Sequence, residues 1–309
     1  MSPRRAFTEL FFASALWGFG FIATVWALQS YSPLWITALR FSLAFAIGLI
    51  PIVLTGARRE FNRANFKLAF QPGILIALTL IAQTWGLQYT TATKSAFLTV
   101  LYVLIVPAIE SVFRKAKLPR FHFFFVTIAI LGVALICGLF SNANASDLSK
   151  TEWNRGDAMT LVCAVFASLQ IEWFGRHQKQ IQSAFVFNVL QSFWAGLLAL
   201  AAIGLTALSG RLIAADPFSQ GALNFNPTSH ALFGLTMLTL GSTLIAFALQ
   251  VRAQKVLSPS IASLLFLLES PFSAIFAFFL LNETFQPPEI FGGILIFLAV
   301  ILASRSTST

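Results

Sequence analysis

Apolar stretches of about 20 residues follow one another through the whole 309-residue chain, separated by short links. A bilayer core of ~30 Å takes about that many mostly apolar residues per helix. Ten spans are read: 9–28, 33–55, 70–90, 95–113, 121–140, 156–174, 183–208, 230–251, 259–281 and 288–304. Charged residues make up 10%, against roughly 25% in a soluble domain, too few to build a surface facing water. The expected fold class is an all-α membrane protein with ten transmembrane helices. Pro33, Pro72, Pro119, Pro227, Pro259 and Pro288 fall near span starts, where a missing amide hydrogen is harmless. Pro107 and Pro271 lie inside spans and are expected to kink or loosen them.

The formal charge of +9 does not mark a nucleic-acid partner, because the basic residues fall in short clusters between apolar spans. With the N-terminus in the cytoplasm, fifteen of the 20 Lys and Arg residues face inside and four (Lys94, Lys150, Arg155, Arg211) face outside. Arg40 alone lies within a span. Both termini are therefore expected in the cytoplasm, at a bacterial inner membrane. The first apolar run continues through Leu28, well past the Ala13-Ser14-Ala15 stretch that resembles a cleavage site, so it reads as an uncleaved helix. Cys137 and Cys163 both sit in apolar spans and suggest neither a disulfide nor a metal site. The longest loops, about 141–155 and 209–229, read as short exposed connections.

One signature occurs twice. Leu87-Gln88 leads through a Thr-rich link into Ser95-Ala96-Phe97-Leu98 and a helix carrying Pro107. Leu249-Gln250 leads through Ala253-Gln254-Lys255 into Ser258-Pro259-Ser260 and a helix carrying Pro271. The expected units are a first five-helix repeat, 1–142, and a second, 155–309. An odd number of spans per unit starts the second from the opposite side, so the repeats are inverted.

These residues resemble the EamA-type transporters of the drug/metabolite transporter superfamily. Trp17-Gly18-Phe19-Gly20-Phe21 is similar to the family's Trp-Gly-x-x-Phe signature, and Pro33 with Arg40 to its second-helix pattern. Gly86 to Ala92, Leu101 to Pro107 and Gly156-Asp157 resemble its third, fourth and sixth helices. Leu249-Gln250, Leu268-Glu269-Ser270-Pro271 and Asn282-Glu283-Thr284 resemble its later ones, with Ser270 standing where many relatives carry Glu. The resemblance implies transport of small organic solutes, many relatives being exporters. It also implies a cavity lined by helices one to four and six to nine.

Ionisable groups at membrane depth cost several kcal/mol unless paired or wet, which makes them site candidates. Arg40 lies about 10 Å into its span and can bind a carboxylate bidentately or hold helix-end carbonyls. Glu269 lies near mid-span, and three readings stay open: binding a substrate ammonium, coupling to protons, or a neutral acid bonded between helices. Lys94, at the outer mouth, reads as an anion attractor or a solvated loop lysine. Glu172 and Glu110 read as solvated. The amides Gln83, Gln88, Gln170, Asn188, Gln191 and Gln250 lie at or within spans; Asn188 with Gln191, Gln170 with Phe166 and Trp173, and Ser95 with Thr99 and Tyr102 form stripes that either line a wet cavity or bond between helices. Trp17 and Trp85 lie deeper than an interfacial belt and either stack on a ligand or pack in the core.

The reading is thus a secondary transporter, an exporter, of small organic metabolites such as amino acids, working by alternating access and without a cofactor. A lipid or undecaprenyl-carrier flippase on the same fold is the alternative. An enzyme would need a nucleophile with a base or a metal cluster, and His122, His177 and His230 all sit at span ends. A channel would need a ring of charged or carbonyl-donating groups. Expected partners are the bilayer and a small-molecule substrate; the oligomeric state is left open.

Overall fold

The computed structural model describes residues 1–114, 122–136, 153–208 and 226–307. Among them the chain is all helix and short links, with no strand. Helix α1 (Pro3–Ala27) begins where Ser2 accepts a bond from the Arg5 amide and Pro3 takes the first position. It starts ahead of the expected residue 9 because hydropathy marks a membrane edge, whereas the cap sets the helix end. Next come α2 (Pro33–Leu54), a 3₁₀ turn (Ala57–Glu60), α3 (Arg63–Leu68) and α4 (Phe70–Gly86). Then follow α5 (Ala92–Thr99), α6 (Tyr102–Arg114) and α7 (His122–Ile136). The second part holds α8 (Arg155–His177), a 3₁₀ turn (Gln178–Gln180), α9 (Ala184–Leu208) and α10 (Ser229–Met237). It continues as a π-helical stretch (Leu238–Ala246), α11 (Phe247–Ala253), α12 (Pro259–Phe266), α13 (Glu269–Leu281) and α14 (Pro287–Thr307).

Among the described residues eight stretches are long and apolar enough to cross a membrane. The apolar part of α14, Pro287–Ala299, is shorter, and α7 has 15 residues. The fifth span was expected to reach 140; residues 137–140, with Cys137, lie outside the described residues, as do the unit boundary at 142 and most of the two long loops.

Two spans expected as single helices are broken. The one at 259–281 divides at Leu267–Leu268, three residues before Pro271, whose ring excludes the regular bond to the Leu267 carbonyl. The amides of Leu267, Leu268 and Ser270 bond three residues back instead. The span at 95–113 divides at Val100–Leu101, while Pro107 sits inside α6. Pro51, inside α2, is a further interior proline.

In the bundle α2 packs on α9, α4 on α8 and α7 on α14, while α1 runs between α13 and α10–α11. Several contacts are backbone to backbone. A Cβ on Gly132 would lie 2.7 Å from the Gly292 carbonyl, and one on Gly86 2.7 Å from the Gly156 carbonyl. Small residues at such crossings are how membrane helices gain van der Waals contact without a hydrophobic drive between them. The polarity is turned inside out relative to a soluble bundle. Phe279 and Leu208 are 72% and 88% exposed, whereas Arg40, Asn188 and Gln191 are at most 2% exposed. An apolar exterior around a polar middle suits lipid as the solvent, and the chain is a multi-pass membrane protein.

Candidate functional site

The polar middle surrounds a cavity of ≈ 590 Å³ between α1, α2, α4, α8, the π stretch with α11, and the two broken helices.

Arg40 enters from α2. Its Nε donates to Thr243 Oγ1 and its Nη2 to Ser242 Oγ, both at 3.0 Å. Among the described residues no carboxylate pairs with it. Both hydroxyls belong to the π stretch, and π geometry recurs at functional sites because it displaces side chains from their α-helical register. Asn188 braces that stretch from α9, its Nδ2 donating to the Thr243 and Leu244 carbonyls at 2.9 and 3.1 Å. Gln191 Nε2 donates in turn to Asn188 Oδ1 at 2.7 Å. Trp17 Nε1 donates to the Ser242 carbonyl at 3.2 Å, and its ring stands edge-on to Phe266, centroids 5.1 Å apart.

The second ionisable group, Glu269, is the first residue of α13, so the break delivers a carboxylate into the cavity. Tyr102, the first residue of α6, donates its hydroxyl to Glu269 Oε2 at 3.3 Å. The two helix breaks thus meet across the cavity through one hydrogen bond. Gln83 Nε2 donates to Thr99 Oγ1 at 3.3 Å. Two further lining amides hold unused groups: Gln170 Nε2 and Gln250 Oε1 are buried without a hydrogen-bond partner among the described residues. A buried amide left unsatisfied costs about 1–3 kcal/mol, so these groups are poised for a ligand or water.

Of the ten residues singled out in the sequence, the cavity brings together Trp17, Arg40, Gln83, Thr99, Tyr102, Gln170 and Glu269. Asn188 and Gln191 stand behind it, and Trp85 packs edge-on against Tyr89 near the end of α4. Ser242, Phe247, Thr79 and Gln250 line the cavity as well and were not among those ten. Gly241-Ser242-Thr243, small and polar in mid-span, was the available signal for Ser242. Among the described residues no cluster of His, Cys, Asp and Glu could hold a metal ion.

Ionic contacts close both ends of the bundle. At one end Lys94 Nζ meets Asp157 Oδ2 at 2.8 Å, with both side chains at most 4% exposed. Asp157 also accepts from Thr90 Oγ1 at 2.8 Å and from the Asn154 amide at 3.0 Å. Lys94 was expected as a mouth lysine, free for anions or for water; instead it is a buried tie between α5 and α8. Beside it, Glu283 accepts from the Ala92 and Thr93 amides at 2.9 and 3.3 Å and joins the α13–α14 turn to the start of α5. At the far end of α1, Glu9 accepts from Arg252 Nε at 2.7 Å, Arg252 Nη2 at 2.6 Å and Arg5 Nε at 3.1 Å. Nearby, Lys255 Nζ donates to the Gln182 carbonyl at 2.5 Å, and burial lowers the pKa of its ammonium. Glu172, expected in water, is fully buried with Arg176 at 3.7 Å, and Glu110 is half-buried and accepts from Ser260.

Residues 7–138 and 154–305 match the model of the EamA-like transporter family. An uncharacterized transporter of Archaeoglobus fulgidus is 27% identical over 304 residues, covering 97% of this chain and 87% of the relative. A crystal structure of a protein superposes with a TM-score of 0.65 at 17% identity, over 98% of this chain and 99% of that one, a likeness of fold.

Proposed function

The chain belongs to the EamA-like transporter family, and on that premise we propose that it is a secondary exporter of small zwitterionic metabolites of the amino-acid kind. The observation that carries the reading is one cavity with two charged groups of opposite sign. Its arginine is buried and has no acidic partner among the described residues, and its glutamate accepts from a tyrosine hydroxyl. Arg40 takes the substrate carboxylate, Glu269 its ammonium, and Trp17 with Phe247 and Phe266 cover an apolar side chain. The unused donor of Gln170 and acceptor of Gln250 complete a set that accepts charge of both signs.

The mechanism in this reading is alternating access by two inverted five-helix units, 1–142 and 155–309, in a ten-span bundle. Three facts support it: the family model matches in two stretches, α2 pairs with its counterpart α9 and α7 with α14, and both broken helices occupy matching places. The ion pairs Lys94–Asp157 and Glu9–Arg252 act as outer and inner latches of that cycle. The excess of Lys and Arg on one side orients both termini to the cytoplasm of a bacterial cell. Glu269 couples flux to protons by exchanging its substrate for a proton.

The test is flux in liposomes holding the purified protein, with labelled amino acids, sugars and organic cations, with and without a pH gradient. Saturable, gradient-driven amino-acid flux is the expected result. Folded protein that moves sugars or organic cations but no amino acid refutes the substrate assignment.

A further inference from the structure

A second and larger cavity opens beside the Lys94 end between α5, α13 and α14. It is graded along its length. At its polar end stand Thr93, Glu283 and Glu289, with Lys94 already tied to Asp157. Below them the walls are apolar, from Phe97, Ile275, Ile290, Ile294, Phe297 and Leu298. Glu289 and Leu298 lie on one helix nine residues apart, so the cleft runs about 14 Å, close to half of a ~30 Å hydrocarbon core. That is the depth of one leaflet. Ile290, Ile294 and Leu298 are 52%, 49% and 48% exposed, so the apolar wall is open to an occupant from the bilayer.

The polar end selects the headgroup. Two carboxylates line it, Glu283 accepting from the Ala92 and Thr93 amides and Glu289 from the Gln286 amide, while Lys94 on the same wall is paired with Asp157. An anionic head is therefore disfavoured and an ammonium favoured. Thr93 supplies a second and independent sign of a ligand: it is 7% exposed, lines the cleft, and its hydroxyl has no hydrogen-bond partner among the described residues. Such a group is unstable unless something else bonds to it.

We propose that this cleft is a binding site for a membrane lipid with a primary-ammonium headgroup, its ammonium between Glu283 and Glu289, its phosphate within reach of Thr93 and one acyl chain along α14. The site is separate from the central cavity and does not depend on which solute is transported.

Native mass spectrometry of the delipidated full chain tests it, titrating phosphatidylethanolamine and phosphatidylglycerol of identical acyl chains. The expected result is a single phosphatidylethanolamine adduct bound about tenfold tighter than phosphatidylglycerol. Glu289→Gln should remove most of that preference. Ile294→Trp, which narrows the apolar wall, should weaken both lipids. Equal binding of the two lipids by the unaltered protein would overturn the proposal, as would a preference that survives both substitutions. A lipid-free dimer abolished by Ile294→Trp would overturn it too, assigning the cleft to a second copy of the chain.

Discussion

Asp157→Asn removes the charge from the buried tie at one end of the bundle while keeping the shape of the side chain. The substituted amide retains one oxygen to accept the Thr90 hydroxyl, now 2.8 Å from Asp157 Oδ1. What is lost is the bond Oδ2 accepts from the Asn154 amide, a helix-capping contact, and the charged partner of Lys94, whose side chain is 4% exposed and 2.8 Å from the carboxylate. Breaking one side of a buried ion pair costs ~3–5 kcal/mol, because the other charge stays stranded away from water. That penalty applies only while this end is closed. Once α5 and α8 separate, Lys94 regains its hydration, so the substitution acts on the balance between closed and open. Taking ~3 kcal/mol, the closed population falls by about 100-fold relative to the open one. The reporter is Ser95→Cys, a fully buried position beneath the latch, in a chain whose two native cysteines are changed to serine. Its labelling by a membrane-impermeant thiol reagent should accelerate by at least tenfold with Asp157→Asn, and Asp157→Glu should restore slow labelling. Unchanged labelling in folded Asp157→Asn protein would refute the latch.

At the other latch, Glu9→Gln should move the same reporter the opposite way, slowing its labelling, though by less because Arg252 is 45% exposed and water screens it. Arg40→Ala should abolish saturable flux of a carboxylate substrate in liposomes while the protein stays folded by circular dichroism; flux that persists removes the anion site. Glu269→Gln should leave exchange of unlabelled for labelled substrate measurable but make flux indifferent to an imposed pH gradient; a preserved gradient response excludes Glu269 from coupling. Gly18→Val should lower the thermal unfolding midpoint in detergent, because a Cβ there would lie 2.6 Å from Phe272 Cβ and 2.9 Å from the Glu269 carbonyl. Such overpacking costs typically ~1–3 kcal/mol, and an unchanged midpoint would show that α1 and α13 separate easily.

Much of the architecture was readable because a bilayer leaves few solutions. Length, hydropathy and the proline punctuation placed α2, α9 and the α12–α13 stretch within a residue or so of their observed limits. The helix breaks were legible only in part. Pro271 marks one directly, but the break at Val100–Leu101 lies six residues before Pro107 and carries no proline of its own. The π stretch left no periodic trace, since its hydropathy is that of any buried helix. Arg40 and Glu269 stood out because a lone charge in an apolar span is costly and therefore conspicuous. Lys94 and Asp157 did not stand out as a pair: each sits at a helix end, where a charge is ordinarily hydrated, and only the fold brings residues so far apart in the chain into contact. Asn188 and Gln191 show the converse case. Their spacing marked a polar face correctly, yet that face serves the backbone of a neighbour and not the cavity.

The break at Val100–Leu101 has a mechanical consequence. It makes α5 a separate short arm, ending at the break and roughly 12 Å long at 1.5 Å per residue. A tilt of ~20° about that break carries the tip about 4 Å and the backbone at Lys94 about 3 Å, enough to part a contact of 2.8 Å. The tip is not free to swing alone, because Glu283 grips the amides of Ala92 and Thr93 and so drags the α13–α14 corner along with it. In the proposed cycle, opening at this end is leverage on a coupled pair of arms, with the remaining halves of both broken helices as stationary posts.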